Sequence, residues 1–170
     1  MKPIRTFAAA AILAAAAILA ALTACASHGG DAARQPDSRQ SSAMNQTHTA
    51  VSKYSFDDTV RRLETAVKEK GMTVFAVIDH QAAARQSGLD MQPAKVIVFG
   101  TPKAGTPLMQ KDPAFALQLP LHVLVTETDG AVQVVFNDTH ALVSGSKIEF
   151  AEVENTLANA EKLIRKTVAE

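Results

Sequence analysis

LQLPLHVLVTETDGAVQVVFND, Leu117 to Asp138, holds two β-rich runs separated by Asp129-Gly130. An Asp-Gly pair suits the φ > 0 positions of a tight two-residue turn, so the runs are predicted to pair as antiparallel neighbours. Pro120 sits inside the first run and cannot donate to a ladder, which predicts an edge position or a bulge there. Upstream, AKVIVFG (Ala94 to Gly100) and MTVFAVID (Met72 to Asp79) read as further strands, with HQAAARQSG between them as a short helix closed by Gly88.

Two longer helices flank this set. Ser55 stands as N-cap before apolar residues at Phe56, Val60, Leu63 and Val67, with Asp57 and Asp58 in the first turn, Lys68 and Lys70 in the last and Gly71 as the stop. Near the end, Glu152 to Val168 places Val153, Leu157, Ala160, Ile164 and Val168 on one face. Val51 to Tyr54 reads as a short opening strand. The order predicts an α+β single domain with an antiparallel or mixed sheet and its two long helices packed on one face.

The 170 residues, 47% of them hydrophobic, suffice for one core once a leader is subtracted. The 17 basic and 17 acidic residues balance, and no basic run interleaves with aromatics, so nucleic acid is excluded as an expected partner. With no Trp and one Tyr, a stacking platform would have to come from the seven Phe, which sit mostly at core-like positions.

The chain opens with Lys2 and Arg5, followed by FAAAAILAAAAILAALTA from Phe7 to Ala24. This is a charged n-region and an apolar h-region. Its length, about eighteen residues, would also serve an uncleaved membrane helix. Leu22-Thr23-Ala24-Cys25 resembles the bacterial lipobox, which implies cleavage of residues 1–24 and acylation of Cys25. Several acyl chains, at about 0.8 kcal/mol per buried methylene, anchor a protein almost permanently. Cys25 is the only cysteine, so the remainder would hold no disulfide, thiolate zinc site, cysteine nucleophile or haem attachment. By the same resemblance Ala26, where an Asp would retain the protein in the inner membrane, implies a periplasm-facing place on the outer membrane.

Residues 25–50 then read as the lipidated Cys and a disordered tether, rich in Ser, Gln, Gly and Asp, with a reach of roughly 27 Å. His28 and His48 are placed in it as solvated residues. The globular domain is expected over 51–170.

Chemistry-bearing positions are few. Thr106 before Pro107 reads as the N-cap of a short helix Pro107 to Lys111, with Gly105 permitting close approach. Free amides at that start, helped by Lys103, would cradle an anion or polar ligand; a rigid loop that packs Leu108 and Met109 is the plainer alternative. Asp79-His80 ends a strand, where His80 could act as a base oriented by Asp79 or simply cap the next helix. His122 alternates with Leu121 and Val123, as a partly buried structural histidine would, and His140 follows Asn137-Asp138 in a turn. Their spacing fits no zinc, calcium or haem pattern, so no metal or cofactor is expected. Nor is there a G-x-S-x-G nucleophile elbow.

The chain resembles the domain-of-unknown-function family 302 over about Val51 to Leu142. The likeness is carried by GMTVFAVIDHQAAARQSGL, by VIVFGTPKAGTPLMQKDPAFALQLPLHVLV and by DGAVQVVFNDTHAL. It implies a β-α-β(4)-α fold, which agrees with the independent reading. Thr101, Gln118, His122, Phe136 and Thr139 stand where the family usually has Asn, Asp, Lys, Tyr and Pro, which puts in doubt any polar ligand the family shares.

Three functions follow as expectations. The first is a membrane-tethered binding module for a small polar or anionic ligand or a partner protein, with Asp79, His80, Lys103, Gly105, Thr106, Asn137 and Asp138 as candidate contacts. The second is a hydrolase-like enzyme with His80 as general base and the Gly105-Thr106 loop holding an anion. The third is a structural lipoprotein that forms a homodimer through a sheet or helix face.

Overall fold

A computed structural model describes residues 46–169. The expected leader, Cys25 and most of the expected tether lie outside the described residues. Strand β1 (Thr47–Val51) leads into helix α1 (Phe56–Glu69), then β2 (Thr73–Asp79), α2 (His80–Gln86), β3 (Ala94–Gly100) and α3 (Pro102–Lys111). A 3-10 helix (Pro113–Gln118) precedes β4 (Leu121–Thr128) and β5 (Ala131–Asn137). The chain closes with α4 (Thr139–Val143), α5 (Phe150–Val153) and α6 (Leu157–Ala169).

The strands form one five-stranded sheet, ordered β1-β5-β4-β3-β2, and every pairing is antiparallel. Helix α1 carries the chain across the sheet from the β1 edge to the β2 edge, and the following strands return one neighbour at a time until β5 meets β1. Asp129 and Gly130 take φ of 54° and 75°, as the β4–β5 turn requires. Ser55 accepts the Asp58 amide at the head of α1, and Gly71 with φ 73° ends it.

Both long helices bury their apolar stripes on the same sheet face. Val60, Leu63 and Val67 of α1 and Ala160, Ile164 and Val168 of α6 share one core with Ile97, Phe99, Val123, Val125, Val134 and Phe136. Fully burying such a side chain contributes roughly 1.5–3 kcal/mol. A second cluster, Leu108, Phe115, Ile148, Val153 and Leu157, fastens α3 and the 3-10 helix to the start of α6. The opposite sheet face carries Val96, Val98, Leu124 and Val135, which stay half-buried.

Four details depart from expectation. The opening strand lies at Thr47–Val51 rather than 51–54, so the domain begins inside the stretch expected to be tether; Thr47, His48 and Thr49 are polar because β1 is an edge strand that meets solvent. Pro120 lies just before β4, which is the central strand, and the LQL ahead of it belongs to the 3-10 helix and its cap. The Leu119–Pro120 peptide is cis. The helix expected over 152–168 is interrupted between Val153 and Leu157, where Thr156 Oγ1 and N both turn back to the Val153 carbonyl. All five residues expected on its apolar face are nonetheless buried.

Candidate functional site

The first two turns of α3, the Leu119–Leu121 segment, the head of β2 and the outer flank of α6 enclose an open cleft of about 890 Å³. That volume falls within the range of small-molecule sites. A register shift between Val74 and Ala76 leaves Phe75 unpaired, which re-aims its ring into the cleft. Gly105 faces Leu119 so closely that a Cβ there would stand 3.2 Å from Leu119 Cδ1. The missing side chain thus lets α3 sit against the wall formed by Leu119 and Pro120.

Met72, Phe75, Met109, Leu119, Pro120 and Leu163 make the walls apolar, and Lys70, Lys103, Lys162 and Lys166 stand around them. Among the described residues that line the cleft there is no aspartate or glutamate. The lysines give the rim a positive potential, strengthened by the low-dielectric walls beneath.

Helix α3 begins five residues before the expected start, because Pro102 takes the first helical position that Pro107 was expected to fill. Thr101 occupies the N-cap without a side-chain bond, and its carbonyl accepts the Ala104 and Gly105 amides at 3.0 Å each. The Gly105 amide is therefore spent inside the helix, Thr106 lies mid-helix, and Pro107 has no amide to offer. The amide cradle expected at Gly105-Thr106 does not form. Lys103, Gly105 and Thr106 nevertheless all line the cleft, two of them through exposed side chains.

Asp79 and His80 do not line it. Asp79 caps α2 by accepting the Ala82 amide at 2.8 Å, and its other oxygen lies 3.7 Å from Lys95 Nζ, which is also 3.6 Å from Asp57. His80 is the exposed first residue of that helix. His122 is exposed opposite Val98, not partly buried, since it points to the sheet face without the long helices. His140 stacks on Phe150 with ring centroids 3.8 Å apart.

The polar convergence occurs at a histidine expected to be solvated tether. His48 on β1 points its Nε2 at Asp138 Oδ2 (2.8 Å) and Glu161 Oε1 (3.1 Å). Asn137 closes β5 opposite Thr47, which sets Asp138 just past the strand end, while α6 supplies Glu161. Asp138 Oδ1 accepts the Ala141 amide at 2.8 Å, and Glu161 Oε2 accepts from Thr139 N and Oγ1. Burial acts to raise the Asp138 carboxyl, but the Ala141 amide, the hydrogen bond from His48 and the nearby His48 and His140 rings together outweigh it and hold the carboxyl below the usual aspartate range. Period-two alternation from Thr47 to Val51 was the available signal for His48; Glu161 had none.

The model of the family described as "Domain of unknown function DUF302" matches residues 48–169. Among curated proteins, the fluoride-specific ion channel FluC 1 of Brucella suis biovar 1 (strain 1330) is 38% identical over 91 residues, covering 53% of this chain and 36% of that protein. FluC 2 of Brucella melitensis biotype 1 is 38% identical over the same length, covering 34% of that protein. The matched stretch thus spans about a third of the length of these relatives. No helix among the described residues is long and apolar enough to cross a membrane. A crystal structure of an uncharacterized conserved DUF302 protein from Bacillus stearothermophilus superposes with a TM-score of 0.61 at 19% identity, covering 72% of this chain and 95% of that one, so the two share a fold.

Proposed function

The chain belongs to the DUF302 family of domains of unknown function, and from that premise we propose that it is a binding module for an amphiphilic anion, held at the cell envelope by an acylated Cys25. The observation that carries this reading is the 890 Å³ cleft, with apolar walls, a lysine rim and no lining acid. Apolar walls reward a hydrocarbon body by about 25 cal/mol per Å² removed from water. Lysines reward a carboxylate or phosphate head. Fluoride, the ion in the names of the Brucella relatives, has no hydrocarbon to offer such walls, so the cleft favours a larger anion. The lipobox-like Leu22-Thr23-Ala24-Cys25 supports the anchor and an outer-membrane, periplasm-facing location.

Hexadecanoate tests the reading against hexadecanol, which has the same chain without the charge, and acetate, which has the charge without the chain. A ligand that binds only the folded state raises its melting temperature by mass action. The full chain should be stabilised most by hexadecanoate, and a Lys103→Glu, Lys162→Glu double variant should lose the preference over hexadecanol. Equal response to all three probes, or none to hexadecanoate, overturns the proposal.

A further inference from the structure

We propose that His48, Asp138 and Glu161 form a binding site for one divalent transition-metal ion of the zinc class, clasping β1 to α6. The three donor atoms come from separate parts of the chain and all lie within 4.8 Å of one another, a convergence that among the described residues occurs only here. Zinc bonds of about 2.0–2.2 Å in a tetrahedral arrangement place neighbouring donors roughly 3.3–3.5 Å apart. His48 Nε2 already stands 2.8 Å from Asp138 Oδ2 and 3.1 Å from Glu161 Oε1, so these two pairs need to open by roughly 0.2–0.7 Å to reach zinc spacing, and the two carboxylate oxygens lie within 4.8 Å of each other.

The two carboxylate ligands are fixed from behind. Asp138 Oδ1 is tied to the Ala141 amide and Glu161 Oε2 to Thr139, so the remaining oxygens face the histidine. Such outer partners are what hold metal ligands in register. The His48 ring rests tilted against Phe136, with centroids 5.7 Å apart. Without a metal, one ring N–H must serve two carboxylates at once. A dication in place of that proton satisfies the nitrogen and both oxygens together.

Charge and access agree. Two carboxylates and a neutral imidazole neutralise a divalent ion, and Arg165, 3.2 Å from Glu161 Oε1, is the cation that such an ion would displace; its guanidinium lies 5.0 Å from the Phe136 ring centroid, a second seat. Side-chain exposures of 32%, 20% and 19% leave an approach from solvent and a fourth position for water. An imidazole among the donors favours zinc, cobalt or nickel over magnesium and calcium, which prefer all-oxygen shells. The site is independent of the lysine-rimmed cleft.

The full chain, stripped with EDTA and dialysed, is titrated with Zn²⁺ by calorimetry and with Co²⁺ by visible absorption. One ion per chain is expected, with cobalt d–d bands that zinc abolishes and an excess of Mg²⁺ does not. Affinity should fall at least tenfold in His48→Ala and in Glu161→Gln, each judged folded by circular dichroism; Glu161→Gln guards against loss of β1 pairing in the histidine variant. Absence of zinc binding by the wild type, or unchanged affinity in both variants, makes the cluster a hydrogen-bonded clasp and overturns the site.

Discussion

Asp112 holds the Lys147 amide, 35 positions further along the chain, 3.0 Å from its Oδ2, while its Oδ1 accepts the Ala114 amide at 3.1 Å. The carboxylate, buried at the junction of α3 and the 3-10 helix, thereby ties that junction to the strand-free segment carrying Ile148 into the second core cluster. Asp112→Ala orphans two backbone donors and is expected to cost about 1–3 kcal/mol. Asp112→Asn, which keeps one accepting oxygen, should cost less. Urea midpoints of the two variants check the order.

Gly105→Ala tests how firmly α3 is pressed on the cleft wall. Relieving a helical glycine contributes about 0.5–1 kcal/mol, whereas the new methyl would meet Leu119 Cδ1 at 3.2 Å. Leu119 Cδ1 is the tip of a half-buried side chain and can yield, so the two effects are expected to cancel within about 1 kcal/mol. A loss above about 2 kcal/mol by urea denaturation would show the contact to be rigid.

Acid should reveal Asp138. Its carboxyl is held below the usual range in the folded protein, so on acidification the unfolded chain takes up the proton first. The stabilisation is fully present above the unfolded aspartate range, near pH 4, and is lost as pH falls through the lower folded value. Compared in EDTA, wild type should exceed Asp138→Asn above pH 5, and that margin should shrink below pH 4. A margin that grows on acidification contradicts the assignment.

Cys25→Ser tests the anchor. Expressed in a Gram-negative host, the wild type is expected to incorporate radiolabelled palmitate and to fractionate with the outer membrane. The serine variant should incorporate none and keep its uncleaved leader, as the mass of the purified chain will show.

The legible part of the fold was the part written in local chemistry. Ser55, the Phe56-Val60-Leu63-Val67 stripe and Gly71 mark α1 because cap, period and stop all fall within one short local stretch. Asp129-Gly130 marks the hairpin for the same reason, and the DUF302 resemblance was carried by contiguous motifs. Strand β1 was half missed because an edge strand need not be apolar. Two prolines five residues apart, Pro102 and Pro107, each suit a first helical turn, and local sequence does not choose between them; the helix starts at Pro102, with Gly105 packed on Leu119. Site chemistry was least visible, since His48 and Asp138 are 90 residues apart and the four rim lysines come from three separate segments.

β1 runs from Thr47, opposite Asn137, to Val51, opposite Gln133, and Val168 near the end of α6 accepts the Lys53 amide just beyond the far end of that strand. Tension between residues 46 and 169 therefore pulls along the β1–β5 ladder, whose bonds share the load and rupture together instead of unzipping singly. A domain held at residue 46, as proposed, would meet a pull on residue 169 as shear across this ladder, a resistance set by the direction of loading and not by folding free energy.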